Sequence, residues 1–85
     1  MNTTAEYVKT YLNYVGLTPT RISECPDNSV LLEYFGNGVN NYINIFRDGT
    51  VVFIFNRIGV DEVYEYDGNS TKDLQEIVQI LRELK

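Results

Sequence analysis

Apolar residues recur at helical spacing near both ends of the chain. Positions i, i+3, i+4 and i+7 are apolar in two series, Val8-Tyr11-Leu12-Val15 and Leu74-Ile77-Val78-Leu81. Each series forms one apolar face of a helix. Thr3 and Glu6 have the spacing of a capping box at the start of the first helix, and Ser70 or Thr71 suits the N-cap of the second. The pattern therefore predicts one helix over residues 4–15 and another at the C-terminal end.

Turn-forming residues divide the middle of the chain into short apolar segments, which is typical of antiparallel strands. The strand candidates are residues 21–24, 30–35, 42–47, 51–56 and 62–66. The turns between them fall at residues 26–29, 36–38, 48–49 and 58–61. This order predicts an α+β fold, in which an antiparallel meander of four or five strands is flanked by an N-terminal and a C-terminal helix. We expect residues 1–85 to form a single domain, because a second core needs about as much chain again.

The strongest turn signal, Asp48-Gly49, is typical of a two-residue type I′ turn and would fix the register of a central hairpin. One face would then carry Ile43, Ile45, Val52 and Ile54, and the other Tyr42, Phe46, Val51, Phe53 and Phe55, interrupted by Asn44. Both predicted faces are apolar, so both should be shielded from water. Three alternatives could shield them: helices or sheet curvature that enclose both faces, a second copy of the chain, or a different protein.

Composition and charge narrow the classes of function. The chain has 12 acidic and 7 basic residues, no histidine and a formal net charge of -5. Nucleic-acid binding needs a basic surface, which this balance argues against. No apolar stretch approaches the roughly 20 residues that cross a bilayer, and the first residues lack the features of a secretory signal. A single cysteine favours a reducing compartment. We therefore expect a cytoplasmic protein with no nucleic-acid or membrane partner.

Residues for catalysis or metal binding are scarce. Cys25 has no histidine to activate it, and its neighbours Glu24 and Asp27 disfavour the thiolate. Gly36-Asn37-Gly38 lacks the lysine and hydroxyl residues of a phosphate loop. A calcium loop needs alternating oxygen ligands and a turn glycine, a pattern absent from the acidic cluster Asp61, Glu62, Glu65 and Asp67. The sequence therefore predicts no enzyme, no cofactor and no metal site.

The last predicted strand is the candidate contact surface. Its carboxylates alternate with Tyr64 and Tyr66, which share one side of the strand and offer large contact areas with polar tips. We assign both rings to the aromatic face of the hairpin. The predicted partner-binding residues are Asp61, Glu62, Tyr64, Glu65, Tyr66, Asp67, Tyr42 and Phe53. The competing interpretation is a solvated strand whose charges prevent edge-to-edge aggregation, with tyrosines at the margin of the core.

Two segments, residues 26–34 and 42–51, resemble a pattern in small uncharacterised bacterial proteins. In that group a Pro-Asp-Gly turn leads into a strand ending Leu-Glu-Trp, followed by a strand running into Asp-Gly and a C-terminal helix. Here Asn28 stands in place of the glycine and Tyr34 in place of the tryptophan. The similarity spans roughly residues 26–81 and supports the order of elements, but it implies no function.

These observations favour a non-enzymatic, acidic protein-binding module. Antitoxins, immunity proteins and inhibitors of defence systems are often small and acidic, so we expect a protein that occludes a partner through acidic residues and sheet aromatics. The alternative is a self-associating structural domain that forms a homodimer through an apolar sheet face.

Overall fold

A computed structural model describes residues 2–36 and 39–84 of the chain. In chain order the elements are α1 (Thr3–Tyr14), β1 (Arg21–Glu24), β2 (Val30–Gly36), β3 (Val39–Ile45), β4 (Thr50–Arg57), β5 (Val60–Asp67) and α2 (Thr71–Glu83). The strands form one antiparallel sheet in the order β1-β2-β3-β4-β5. The predicted α+β meander with a helix at each end is confirmed. Of the turn predicted at residues 36–38, positions 37 and 38 lie outside the described residues.

Both helices pack against the same side of the sheet. The helices contribute Ala5, Val8, Leu12, Leu74, Ile77, Val78, Ile80 and Leu81 to one buried cluster. The strands contribute Val30, Leu32, Ile43, Ile45, Val51, Phe53, Phe55 and Tyr66. Side chains alternate between the two faces of a strand, so the intervening strand residues point away from the helices. The architecture is therefore two layers, helices on sheet, with a single core between them.

The β3–β4 hairpin turns through three residues rather than the predicted two. Its loop is Arg47-Asp48-Gly49, and the N-H of Phe46 donates to the carbonyl of Thr50 at 2.8 Å. Gly49 has a φ of +99°, in the left-handed region that glycine adopts without steric penalty. Oδ1 of Asp48 accepts from the Thr50 N-H at 2.9 Å, and this bond lowers the pKa of the Asp48 carboxyl. Asp-Gly therefore predicts the hairpin but not the length of its loop.

The longer loop shifts β4 by one residue and corrects the predicted faces. Ile43 pairs with Phe53 and Ile45 pairs with Val51, where the two-residue turn predicted other partners. Directly opposite residues share a face, so a shift of one position moves every β4 side chain to the other side of the sheet. Val51, Phe53 and Phe55 consequently join Ile43 and Ile45 in the core. The predicted division into an aliphatic and an aromatic face is wrong.

An asparagine caps α1 and ties the helix to the sheet. Oδ1 of Asn2 accepts from the N-H of Ala5 at 3.0 Å, and Thr3, the predicted cap, is already the first helical residue. Nδ2 of Asn2 donates to the carbonyl of Asn28 at 2.9 Å and to that of Ile45 at 3.0 Å. One nearly buried side chain thus joins α1 to the β1–β2 turn and to the end of β3.

Ser70 caps α2, as the sequence predicts. Its hydroxyl oxygen accepts from the N-H of Asp73 at 3.3 Å. Asp73 itself lies in the first turn, where a negative charge interacts favourably with the helix dipole. Its Oδ2 accepts from the N-H of Asp67 at 2.8 Å. These bonds fix the start of α2 against the end of β5.

Tyr66 brings a phenol into the core beside α2. Its hydroxyl is shielded from solvent and has no hydrogen-bond partner among the described residues. Burial, followed by the nearby Glu76 carboxylate, raises the pKa of Tyr66 to about 12. The fold therefore favours the neutral phenol, and ionisation of this group opposes folding.

We expect Tyr66→Phe to leave the free energy of unfolding at pH 7 unchanged or to raise it by about 1 kcal/mol, because an unpaired buried hydroxyl gains nothing from burial. In the wild type, the raised pKa of Tyr66 means that the fold favours the neutral phenol. The stability that this preference adds is fully present below pH 10, and it is lost as the pH rises through the folded-state pKa of about 12. Urea unfolding of both proteins between pH 7 and pH 11 measures these effects, and the variant should lose less stability above pH 10. A clear loss at pH 7 would mean that the hydroxyl has a hydrogen-bond partner.

Candidate functional site

The sheet has an open face, which we define by the strand residues that point away from the helices. Its apolar strand residues are Leu31, Phe35, Tyr42, Val52, Ile54 and Val63. Phe46 follows β3 directly and hydrogen-bonds to Thr50 at the start of β4. Within the described ranges no element packs against the apolar strand residues. Tyr42, Ile54 and Val63 are successive cross-strand neighbours, so the apolar surface is continuous across β3, β4 and β5. Continuous apolar surface on a small domain is typical of an interaction site.

Charged groups lie at opposite margins of the open face. Arg21 lies on β1, with its side chain 69% exposed, and its Nε is 3.6 Å from Oε2 of Glu33, which is 14% exposed. The group presented at this margin is therefore the guanidinium. At the other margin, β5 carries the exposed carboxylates of Asp61, Glu65 and Asp67. The face thus carries the Arg21–Glu33 ion pair at one side and three exposed carboxylates at the other.

A single amide interrupts the apolar centre of the open face. Asn44 lies on the central strand, paired with Leu31 on one side and Val52 on the other. Its Oδ1 is shielded from solvent and lacks a hydrogen-bond partner in the described part of the protein. An unpaired amide oxygen in such a position is unfavourable unless a donor reaches it.

The structure separates the predicted partner-binding residues. Phe53 and Tyr66 are buried in the core and offer no surface to a partner. Tyr64 pairs with Phe53 and shares its side of the sheet, as the alternation predicts, but that side faces the helices. Glu62 lies on the same side, and the hydroxyl of Tyr64 donates to its Oε1 at 2.9 Å. This bond raises the pKa of Tyr64. The remaining predicted residues, Tyr42, Asp61, Glu65 and Asp67, lie on the open face.

Aromatic residues on the side of the sheet that faces the helices stabilise the β4–β5 hairpin. The rings of Phe53 and Phe55 are 4.7 Å apart, and those of Phe55 and Tyr64 are 5.3 Å apart, edge to face. The guanidinium of Arg57 lies 5.4 Å from the centre of the Phe55 ring. Its Nε is 3.6 Å from Glu62 Oε2. These contacts join β4 to β5 along the side of the hairpin that faces the helices.

The end of the β4–β5 hairpin, Ile58-Gly59-Val60, is an exposed apolar segment that we call the hairpin tip. Ile58 and Gly59 have φ angles of +52° and +77°, which is typical of a type I′ turn. The loop predicted over residues 58–61 is therefore a two-residue turn. Oδ1 of Asn56 accepts from the Gly59 N-H at 3.1 Å, while its Nδ2 donates to Oδ1 of Asp61 at 2.9 Å. The turn is held in place by these bonds.

Ile58 is unfavourable in this position for two reasons. A β-branched residue at positive φ is a genuine outlier, because its side chain crowds the backbone. The side chain is also 95% exposed, and Val60 beside it is 62% exposed. The sequence places Ile58 in the loop at residues 58–61 but does not indicate its positive φ, because β-branched residues rarely adopt the left-handed region. The signal available was the glycine that follows it.

The groove between α1 and α2, about 540 Å³, is lined by Tyr11, Val15, Gln75, Val78, Gln79, Arg82 and Glu83, without a nucleophile and base pair. Across residues 2–36 and 39–84, no group of three or more cysteine or carboxylate side chains is placed to hold a metal ion. No helix in these ranges is long and apolar enough to span a membrane.

Comparison of the chain with protein-family models, with curated proteins and with solved structures finds no significant match. The hairpin tip and the open face are the two surfaces of the molecule that suggest a function.

Proposed function

We propose that this protein is a non-enzymatic cytoplasmic module of the inhibitor type, such as an antitoxin, immunity or anti-defence protein, which occludes a partner protein through its β4–β5 hairpin. The observation that carries the proposal is Ile58, a β-branched residue at a φ of +52° with 95% of its surface exposed. Strain and exposure both disfavour this side chain in the free protein. A partner protein that covers the Ile58 side chain removes the unfavourable contact between this apolar group and water.

Charge defines the chemistry of the partner. Asp61 and Glu65 are exposed on β5 behind the tip, and the chain carries a formal net charge of -5. Arg57 faces two carboxylates, since its guanidinium is 3.6 Å from both Glu62 and Glu83. A basic rim around an apolar pocket is therefore the complementary surface. Occlusion of such a pocket requires no catalytic group.

Ile58→Asn tests this proposal by separating stability from binding. Asparagine tolerates positive φ, so we expect the free energy of unfolding to rise by about 1 kcal/mol. Binding to the partner should fall at least about tenfold, because an apolar anchor is lost. The partner is first captured from the native cytosol and purified. Its affinity for the wild type, for Ile58→Asn and for the control Tyr14→Asn, which changes an exposed residue of α1, is then measured by calorimetry.

Equal affinity of Ile58→Asn and the wild type would exclude the hairpin tip as the contact. The carboxylates of Asp61 and Glu65 are tested separately. Asp61→Lys and Glu65→Lys should weaken binding to the partner protein, and most strongly at low salt. If reversal of these charges has no effect at low salt, the partner is not held by the carboxylates of β5.

A further inference from the structure

We infer that two copies of this chain associate face to face through their open faces, about a two-fold axis that runs parallel to β3. This inference does not depend on the proposed function. The open face is distinct from the hairpin tip but includes Asp61 and Glu65, so Ile58→Asn and Val52→Lys are the variants that separate partner binding from self-association. Three properties of the open face support a second copy as its occupant: its area, the distribution of its charges and the position of Asn44.

The area of the open face matches a small, reversible dimer. Five strands about 4.8 Å apart and about seven residues long, at about 3.3 Å per residue, give a footprint of about 550 Å². Two such footprints bury about 1,100 Å², which is just above the minimum of roughly 1,000 Å² for a biological interface and in the range of weak, transient ones. The centre of the footprint is apolar, with Tyr42, Val52 and Ile54 on the two central strands. We therefore expect a dimer that dissociates in the micromolar range.

The charges select the direction of the axis. A two-fold axis parallel to the strands places β1 of one copy over β5 of the other, whereas an axis across the strands places β5 over β5. The second arrangement brings the carboxylates of Asp61, Glu65 and Asp67 together, which is repulsive. In the first, Arg21 lies opposite Val63, because both belong to one cross-strand row. Its guanidinium then reaches between Asp61 and Glu65 of the second copy.

The same axis accounts for the amide in the apolar centre. β3 is the middle strand, so an axis along it places Asn44 opposite itself. After rotation of the two amides, each Nδ2 can donate to Oδ1 of the other. The interface thereby supplies a donor to an oxygen that has none in the described part of the single chain. A buried polar pair of this kind also fixes the alignment of two apolar surfaces.

Sedimentation equilibrium of the full chain, at about 5 to 500 μM and 0.15 M salt, tests the inference. The wild type should pass from monomer to dimer over this range. Val52→Lys, at the centre of the open face, should remain monomeric throughout. Ile22→Lys is the matched control, because Ile22 is an exposed strand residue on the opposite side of the sheet, and it should associate like the wild type. Circular dichroism confirms that each variant is folded.

A second pair of variants tests the axis with surface residues only. Glu65→Arg should weaken association at least about tenfold, because it faces Arg21 of the second copy. The double variant Arg21→Glu/Glu65→Arg, which exchanges the two charges, should restore much of the lost association. The inference is overturned by a wild type that stays monomeric at every concentration, or by Val52→Lys associating normally. Stronger association of Glu65→Arg would overturn the proposed axis. None of these results alters the test of Ile58, which lies in the turn beyond the sheet.

Discussion

Phe53→Ala is expected to lower the free energy of unfolding by about 3–5 kcal/mol, a large part of the stability of a domain of this size. Phe53 is fully buried on β4, and its ring packs against Phe55 at 4.7 Å and against the helices through the common core. Truncation removes this apolar contact and leaves a cavity in the middle of the molecule. Urea unfolding followed by circular dichroism, at low protein concentration, measures the loss.

Ile54→Ala is the matched control for this prediction. Ile54 is the next residue of β4 but lies half-buried on the open face. Its truncation in the monomer should lower the free energy of unfolding by no more than about 1 kcal/mol. A larger loss for Ile54→Ala than for Phe53→Ala would contradict the register of the β3–β4 hairpin. Equal large losses would mean that both faces of the sheet are covered within one chain.

Asn2→Ala is expected to lower the free energy of unfolding by about 3 kcal/mol, through loss of a helix cap and of two hydrogen bonds to carbonyls. Asn2→Ser keeps an oxygen that caps the helix, but its shorter side chain ends in a single hydroxyl that does not reach the carbonyls of Asn28 and Ile45. Its loss should therefore be about 2 kcal/mol, which isolates the contribution of the two donor bonds.

Thr3→Ala provides the control for the asparagine cap. Thr3 is exposed in the first turn of α1, so its truncation should lower the free energy of unfolding by about 0.5 kcal/mol or less. A greater loss for Thr3→Ala than for Asn2→Ala would show that the threonine caps the helix. Thermal and urea unfolding of the three variants decide between the two residues.

The order of elements could be predicted from the sequence because it depends on local signals. The helical series at each end, the Ser70 cap and the spacing of turn residues all act within a few positions. The register of β3 and β4 could not, because Asp-Gly suits both a two-residue turn and a three-residue loop ending in glycine. One residue of difference reverses the faces of β4, so the sequence predicts Phe53 on the same face as Tyr42, whereas Phe53 pairs with Ile43.

The candidate site could be predicted only in part, for a related reason. The carboxylates of Asp61, Glu65 and Asp67 are exposed because a charge on an edge strand stays in water. Tyr64 and Tyr66 have the same alternation, yet Tyr64 is 39% exposed and Tyr66 only 8%. The difference arises from the position of α2 over the end of β5, and nothing in the local sequence encodes that position.

The two-layer fold and the inferred dimer both require that the helices cover a single face of the sheet and leave the other face open. Paramagnetic relaxation of methyl groups by a soluble gadolinium complex tests this claim directly, at a concentration where the chain is monomeric. The methyl signals of Val52 and Ile54 should be strongly broadened, while those of Ile43, Ile45 and Val51, which are fully buried, should stay sharp. Equal protection of Val52 and Ile43 in the monomer would contradict the account.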